Sequence, residues 1–149
     1  LGDVYKRQVN AQAGALDYLG HTIDGSELTN EMESIGNYQS VARSTYLHQG
    51  FVRITNNGGG YVGIGAGTEC NVTCGTVKLN VYLERSSGSE DFYSYKKWEN
   101  VDYNTSSLYL NQQVKVEKGY YYRLRGYHSC TKNGVLENGA SRTDGIYIG

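Results

Sequence analysis

Proline is absent from the 149-residue sequence, so no strand edge in it is blunted by that residue. Methionine and tryptophan occur once each and phenylalanine twice. Long apolar runs are missing too. No stretch approaches the roughly 18 apolar residues that a membrane-spanning helix needs, so no span is expected. Fourteen Lys and Arg against fifteen Asp and Glu leave a formal charge of −1. No whole-chain field then points to nucleic acid. Catalytic signatures are also lacking: there is no Gly-x-Ser-x-Gly, no His-Glu-x-x-His and no phosphate-cradling glycine loop. The only histidines are His21, His48 and His128. The expectation is a protein that is not an enzyme, with no cofactor and no resident metal.

What is present is tyrosine (15 residues) and glycine (20). Tyrosine suits strands and surfaces that are half apolar and half wet. Glycine in this number suits many turns. Charge is unevenly placed. Residues 14–40 hold Asp17, Asp24, Glu27, Glu31 and Glu33 and no Lys or Arg, whereas the remainder carries a small positive excess.

The chain divides into three parts. Residues 1–8 resemble a translated sequencing-adapter remnant, and Ala11-x-Ala13 has the small-x-small form that signal peptidase cuts. Residues 1–13 are therefore expected to be an artefact plus a signal-peptide remnant, with Gly14 the mature start. Residues 14–41 are polar and acidic. Ser26-x-x-Thr29 offers a helix cap, but a flexible leader is expected, since few apolar groups offset the ordering entropy. Residues 42–149 read as one domain of short strands.

Alternation marks those strands. Arg43–Gln49 comes first. Val52 and Ile54 share a face, Asn56-Asn57-Gly58-Gly59-Gly60 turns, and Val62, Ile64 and Ala66 return. Val77, Leu79, Val81 and Leu83 point in while Lys78, Asn80, Tyr82 and Glu84 point out. Phe92–Val101 is ambiguous in its facing around Lys96-Lys97-Trp98. Leu108, Leu110, Val114 and Val116 are in register. Tyr122, Leu124 and Gly126 share one face, and Tyr121, Arg123, Arg125 and Tyr127 the other. Thr131-Lys132-Asn133-Gly134 turns, and Ile146 and Ile148 close the domain.

Val116, Gly119 and Tyr122, spaced three and three before Arg123-Leu124-Arg125, resemble the E–F corner of fibronectin type III domains. That resemblance implies that the Tyr122 hydroxyl bonds back to the backbone upstream. The expected fold is an all-β, immunoglobulin/fibronectin III-like antiparallel sandwich of seven or eight strands. A second resemblance covers nearly everything from residue 26 on. Ser26-Glu27-Leu28-Thr29-Asn30-Glu31, Cys70-x-x-x-Cys74, Gly119-Tyr120-Tyr121-Tyr122-Arg123 and Thr143-Asp144-Gly145-Ile146-Tyr147-Ile148 resemble a family of small exported Gram-positive bacterial proteins of unknown function. It implies secretion and no activity.

Export favours oxidation of close thiols, so Cys70 and Cys74 are expected to form a disulfide, with Cys130 left over. A Cys₃His zinc set of Cys70, Cys74, His128 and Cys130 is the alternative. The outward row Tyr121, Arg123, Arg125, Tyr127 is the candidate binding surface, extended by Lys78 and Tyr82 and next by Tyr93, Tyr95 and Lys97. Tyrosine rings beside fixed positive charge can stack on sugars or hold anionic polymers. Ordinary cross-strand Tyr–Arg pairs on a solvated face explain the same residues. Two functions stay open: a secreted, non-catalytic binding module for cell-envelope glycan or surface protein, and a small secreted effector of toxin or bacteriocin type.

Overall fold

The computed structural model describes residues 14–39 and 45–149. Residues 1–13, with the adapter-like and signal-like segments, lie outside it. So do residues 40–44, which hold the beginning of the expected Arg43–Gln49 strand.

Among the described residues nine strands follow one another: β1 (Thr22–Ile23), β2 (Ser26–Thr29), β3 (Glu33–Gln39), β4 (Leu47–Gly58), β5 (Tyr61–Ser86), β6 (Tyr93–Lys115), β7 (Tyr120–Lys132), β8 (Val135–Arg142) and β9 (Gly145–Ile148). The protein is all-β, as its alternation predicts. The strands do not separate into two antiparallel sheets of the immunoglobulin or fibronectin III kind. They form one hydrogen-bonded path, β1-β2-β9-β7-β5-β4-β3, with β6 also on β5 and β8 also on β7. The β2–β9 pair is parallel.

The organising element is β5, with 26 residues. Stretched straight it would span about 86 Å. A compact chain of this length has a radius of gyration of only roughly 15 Å. The strand must therefore bend, and it does so near Cys70–Cys74, where its register with β6 shifts between Glu69 and Cys74. Before the bend β5 pairs with β4, and after it with β7. β6 follows both halves along the opposite edge. Sequence reading divides β5 and β6 into four strands, because a glycine-rich polar stretch looks like a loop. Here the segment bends without breaking its pairing.

The curl brings β4 over β7. Val52 and Ile54 of β4, Val62 and Ile64 of β5, Leu79, Val81 and Leu83 beyond the bend, and Tyr122 and Leu124 of β7 make one buried core. The inward assignments of Val77, Leu79, Val81 and Leu83 hold, all four fully buried. The ambiguous facing near Trp98 has a cause. A register shift falls at Leu83/Glu84, where Lys96 and then Ser94 are the partners, and Tyr95 between them still packs on the core beside Trp98. A smaller cluster at the bend joins Leu47, Cys74, Val77 and Cys130.

The leader differs most from expectation. Residues 22–39 carry three strands in place of a flexible tail, and Ser26–Thr29 is a strand in place of a capped helix. Asp24 and Gly25, with φ of 46° and 75°, make the tight turn between β1 and β2. Leu28 is buried, and the Ser26 hydroxyl donates to the Thr143 carbonyl at 2.7 Å. The partners of β2 lie more than a hundred residues away and those of β3 are on β4, so the segment's own composition does not announce them.

Candidate functional site

The outer face of β7 carries the expected binding row, and the structure splits it. Tyr121 and Arg123 are covered by the leader and fully buried. The Tyr121 hydroxyl donates to the Ala15 carbonyl at 2.6 Å. Burial, with Tyr147 and Asp17 nearby, pushes its pKa up to about 12.

Arg123 engages four of its five donors' worth of partners. Nε donates to Glu84 Oε1 at 2.9 Å and Nη2 to Asp24 Oδ2 at 2.6 Å. Nη1 donates to the Asp24 carbonyl and to Ser26 Oγ. Its guanidinium carbon stands 4.3 Å from the centre of the Phe92 ring. Hydrogen bonding and charge from Arg123 hold the Asp24 carboxyl below its usual range. These two members of the row are thus structural, and a change at Arg123 disturbs the fold as well as the surface. Removing Arg123 strands the buried Glu84 beside fewer counter-charges.

The rest of the row stays open. Arg125 is half-exposed, with Nε donating to Glu84 Oε2 at 2.9 Å. Its guanidinium carbon lies 5.5 Å from the Tyr82 ring centre. No acceptor engages its outer nitrogens among the described residues. Register places Tyr82 beside Arg125 on one side and Lys97 on the other, and Asn80 between Tyr127 and Glu99. Lys78 is exposed on the same face. Tyr93 and Tyr95 do not extend it, since they sit with Arg85 at the far end of β6.

Concavities flank this face. One of 270 Å³ is lined by Lys78, Asn80, Glu99, Asn100 and Val101; Asn100 pairs with the inward Leu79, and its Nδ2 is buried without a hydrogen-bond partner among the described residues. Another of 510 Å³ gathers Arg125, Arg142, Asn37, Asp24 and Asp144. The largest, 780 Å³, lies at Tyr18, Tyr120 and Tyr147 and holds none of the expected binding residues.

The inner face of β7 holds His128, fully buried. Gly50 and Gly126 make room for it, since a Cβ at either would sit under 3 Å from the imidazole. Thr68 Oγ1 donates to the Lys78 carbonyl, which leaves it as the acceptor for His128 Nδ1 at 3.0 Å. Nε2 therefore accepts from Ser141 Oγ at 2.7 Å. Burial holds the imidazole pKa down to about 4, against a backbone hydrogen bond at Gly67. Thr68 and Ser141 were not singled out from sequence, and strand registers 60 and 13 residues apart carry no local signal.

At the bend the three cysteines meet as free thiols. The Cys70–Cys74 disulfide expected from spacing and export is not formed. The two sit within one continuous strand, and Cys130 of β7 stands beside them, so each thiol has two sulfur neighbours where one was expected. Their Sγ atoms lie within 4.8 Å of one another. Burial and the thiol of Cys74 push Cys70 up to about 12. His128 stays out of this group, because both its nitrogens are engaged elsewhere.

A family model described as a family of unknown function (DUF6147) matches residues 17–145. The chain belongs to DUF6147. The match takes in most of the leader as well as the strands that follow, in keeping with a leader built into the sheet. No curated protein matches this DUF6147 chain. No helix among its described residues is long and apolar enough to cross a membrane.

Proposed function

We propose that this DUF6147 chain is a non-catalytic binding module, exported by a Gram-positive bacterium, that holds an anionic glycan of the cell envelope. The supporting observation is Arg125. Glu84 anchors one edge of its guanidinium beside the Tyr82 ring, and the outer fork faces solvent. A fork so oriented loses little freedom when it takes a carboxylate or phosphate. Tyr82 and Tyr127 supply ring surface beside it, and Lys78 and Lys97 add charge on the neighbouring strands.

Co-sedimentation with bacterial cell-wall preparations tests this reading. The wild type is retained at low salt and released as salt rises, because exposed charges are screened. Arg125→Ala weakens retention about tenfold or more, the worth of a charged hydrogen bond, with unfolding little changed. Retention that is absent, or equal in wild type and variant, removes the proposal. Growth inhibition of related cells without retention favours the effector instead.

A further inference from the structure

We propose that Cys70, Cys74 and Cys130 form a three-thiolate site for a thiophilic d¹⁰ cation of the Zn²⁺ or Cu⁺ class. The three residues come from two adjacent strands. Cys70 and Cys74 bracket the register shift at the bend of β5, and Cys130 lies on β7, paired with Val77. The fold itself, not a short sequence motif, brings the third sulfur in.

The geometry suits a metal. Sulfur ligands at about 2.3 Å stand roughly 3.8 Å apart around a tetrahedral ion and roughly 4.0 Å apart around a trigonal one. From sulfurs within 4.8 Å of one another, closure needs about 1 Å or less. Cys74 and Cys130 are buried and Cys70 is half-buried, so one side remains for entry. The surroundings are Leu47, Val77 and the partly buried Leu108, Tyr38 and Tyr46. Such a shell lowers the local dielectric and strengthens thiolate–cation attraction.

Among the described residues the donor set is sulfur alone. Glu137 is the nearby carboxylate, but its oxygens accept from the backbone N–H groups of Thr45, Tyr46 and Leu47 at 2.8–3.1 Å. His128 is held by Thr68 and Ser141. A hard cation such as Mg²⁺ or Ca²⁺ finds no oxygen cage here, whereas thiolates select soft ions. Each thiol gives up its proton as its sulfur binds, with no change of oxidation state. A Cys70–Cys74 disulfide would use two sulfurs and leave Cys130 buried and idle. A metal uses all three.

The test is titration of the reduced, full chain with Cd²⁺ under argon, followed by competition with Zn²⁺ and with Cu⁺. One equivalent per chain produces a thiolate charge-transfer band, and the thermal midpoint rises with it. Excess Cu⁺, or a larger excess of Zn²⁺, then displaces Cd²⁺, as an all-thiolate set for soft d¹⁰ ions requires. Cys70→Ser, at the half-buried position, keeps the circular dichroism of the fold and weakens binding at least tenfold. Cys74→Ser and Cys130→Ser do the same where they fold. A reduced wild type that gives no stoichiometric band overturns the proposal, as does binding unchanged in Cys70→Ser. Peptide mapping that finds Cys70 bonded to Cys74 in the presence of excess Zn²⁺ also overturns it.

Discussion

His128 sits among groups that satisfy it only when it is neutral. Nδ1–H donates to Thr68, Nε2 accepts from Ser141, and Gly50 and Gly126 close over the ring. Its pKa falls from 6.5 to about 4 on burial. Above pH 6.5 folded and unfolded chains both hold it neutral, and its contribution to stability is fully present. Between pH 6.5 and 4 the unfolded chain takes up the proton and the folded chain does not. Stability is therefore lost as pH falls through that window, by about 2–3 kcal/mol at pH 4.5. His128→Gln keeps a donor and an acceptor without the titration. Urea unfolding of both proteins at pH 7 and pH 4.5 is expected to show a loss smaller by about that amount in the variant. Equal acid losses would assign the effect to other groups. Arg123 teaches a related point. It reads as a solvated strand residue on period-two reasoning, and its parity is right. What lies outside that face is another part of the same chain.

The leader strands β1 and β2 show what was legible and what was not. Asp24-Gly25 is a strong hairpin signal, and it stands plainly in the sequence. The flanking strands are only two and four residues long, too short to alternate visibly, so the turn signal stands without strands to read beside it. Strand β8 is illegible for a similar reason. Val135 and Leu136 are both exposed, so the segment offers no apolar face to read. The Asn133-Gly134 turn before it, with both φ positive, was legible. The inward rows of β4, β5 and β7 were legible too, because one buried face imposes a period of two. The corner was correctly anticipated at the level of one bond, since the Tyr122 hydroxyl donates to the Glu117 carbonyl. The continuity of β5 depends on the curl and the burial of Tyr121 on the leader, and no local pattern encodes either. Two neighbouring tyrosines therefore anchor different elements. Tyr122→Phe leaves a corner carbonyl short of its partner and is expected to cost about 1–3 kcal/mol of global stability. Tyr121→Phe releases Ala15 and is expected to cost about 1 kcal/mol, with faster hydrogen exchange confined to residues 14–20. Denaturant unfolding combined with exchange mass spectrometry separates the two. Matching exchange profiles would mean that the leader is not held by Tyr121.

At the scale of the whole molecule, acidic front and basic body are complementary. Asp24 pairs with Arg123 and Glu33 with Arg53, both at 2.6 Å. The charge division visible in the sequence thus becomes an intramolecular contact. The parallel pairing of β2 with β9 adds a matter of timing. Ser26 finds Thr143 across 117 residues, while β4, β5 and β6 meet their partners through short connections. Non-local pairs form late. In pulse-labelled refolding, amides of residues 22–29 are expected to gain protection after those of β5 and β6, and simultaneous protection would contradict this order. On a ribosome adding about 5–20 residues per second, the front of the chain waits roughly 6–23 s for the strand that receives it. Arg123 itself is added only 20 residues before Thr143, so for roughly 1–4 s it and Glu84 have no Asp24 or Ser26 above them. The protein is finished from its tail, and its first strands are its last to arrive.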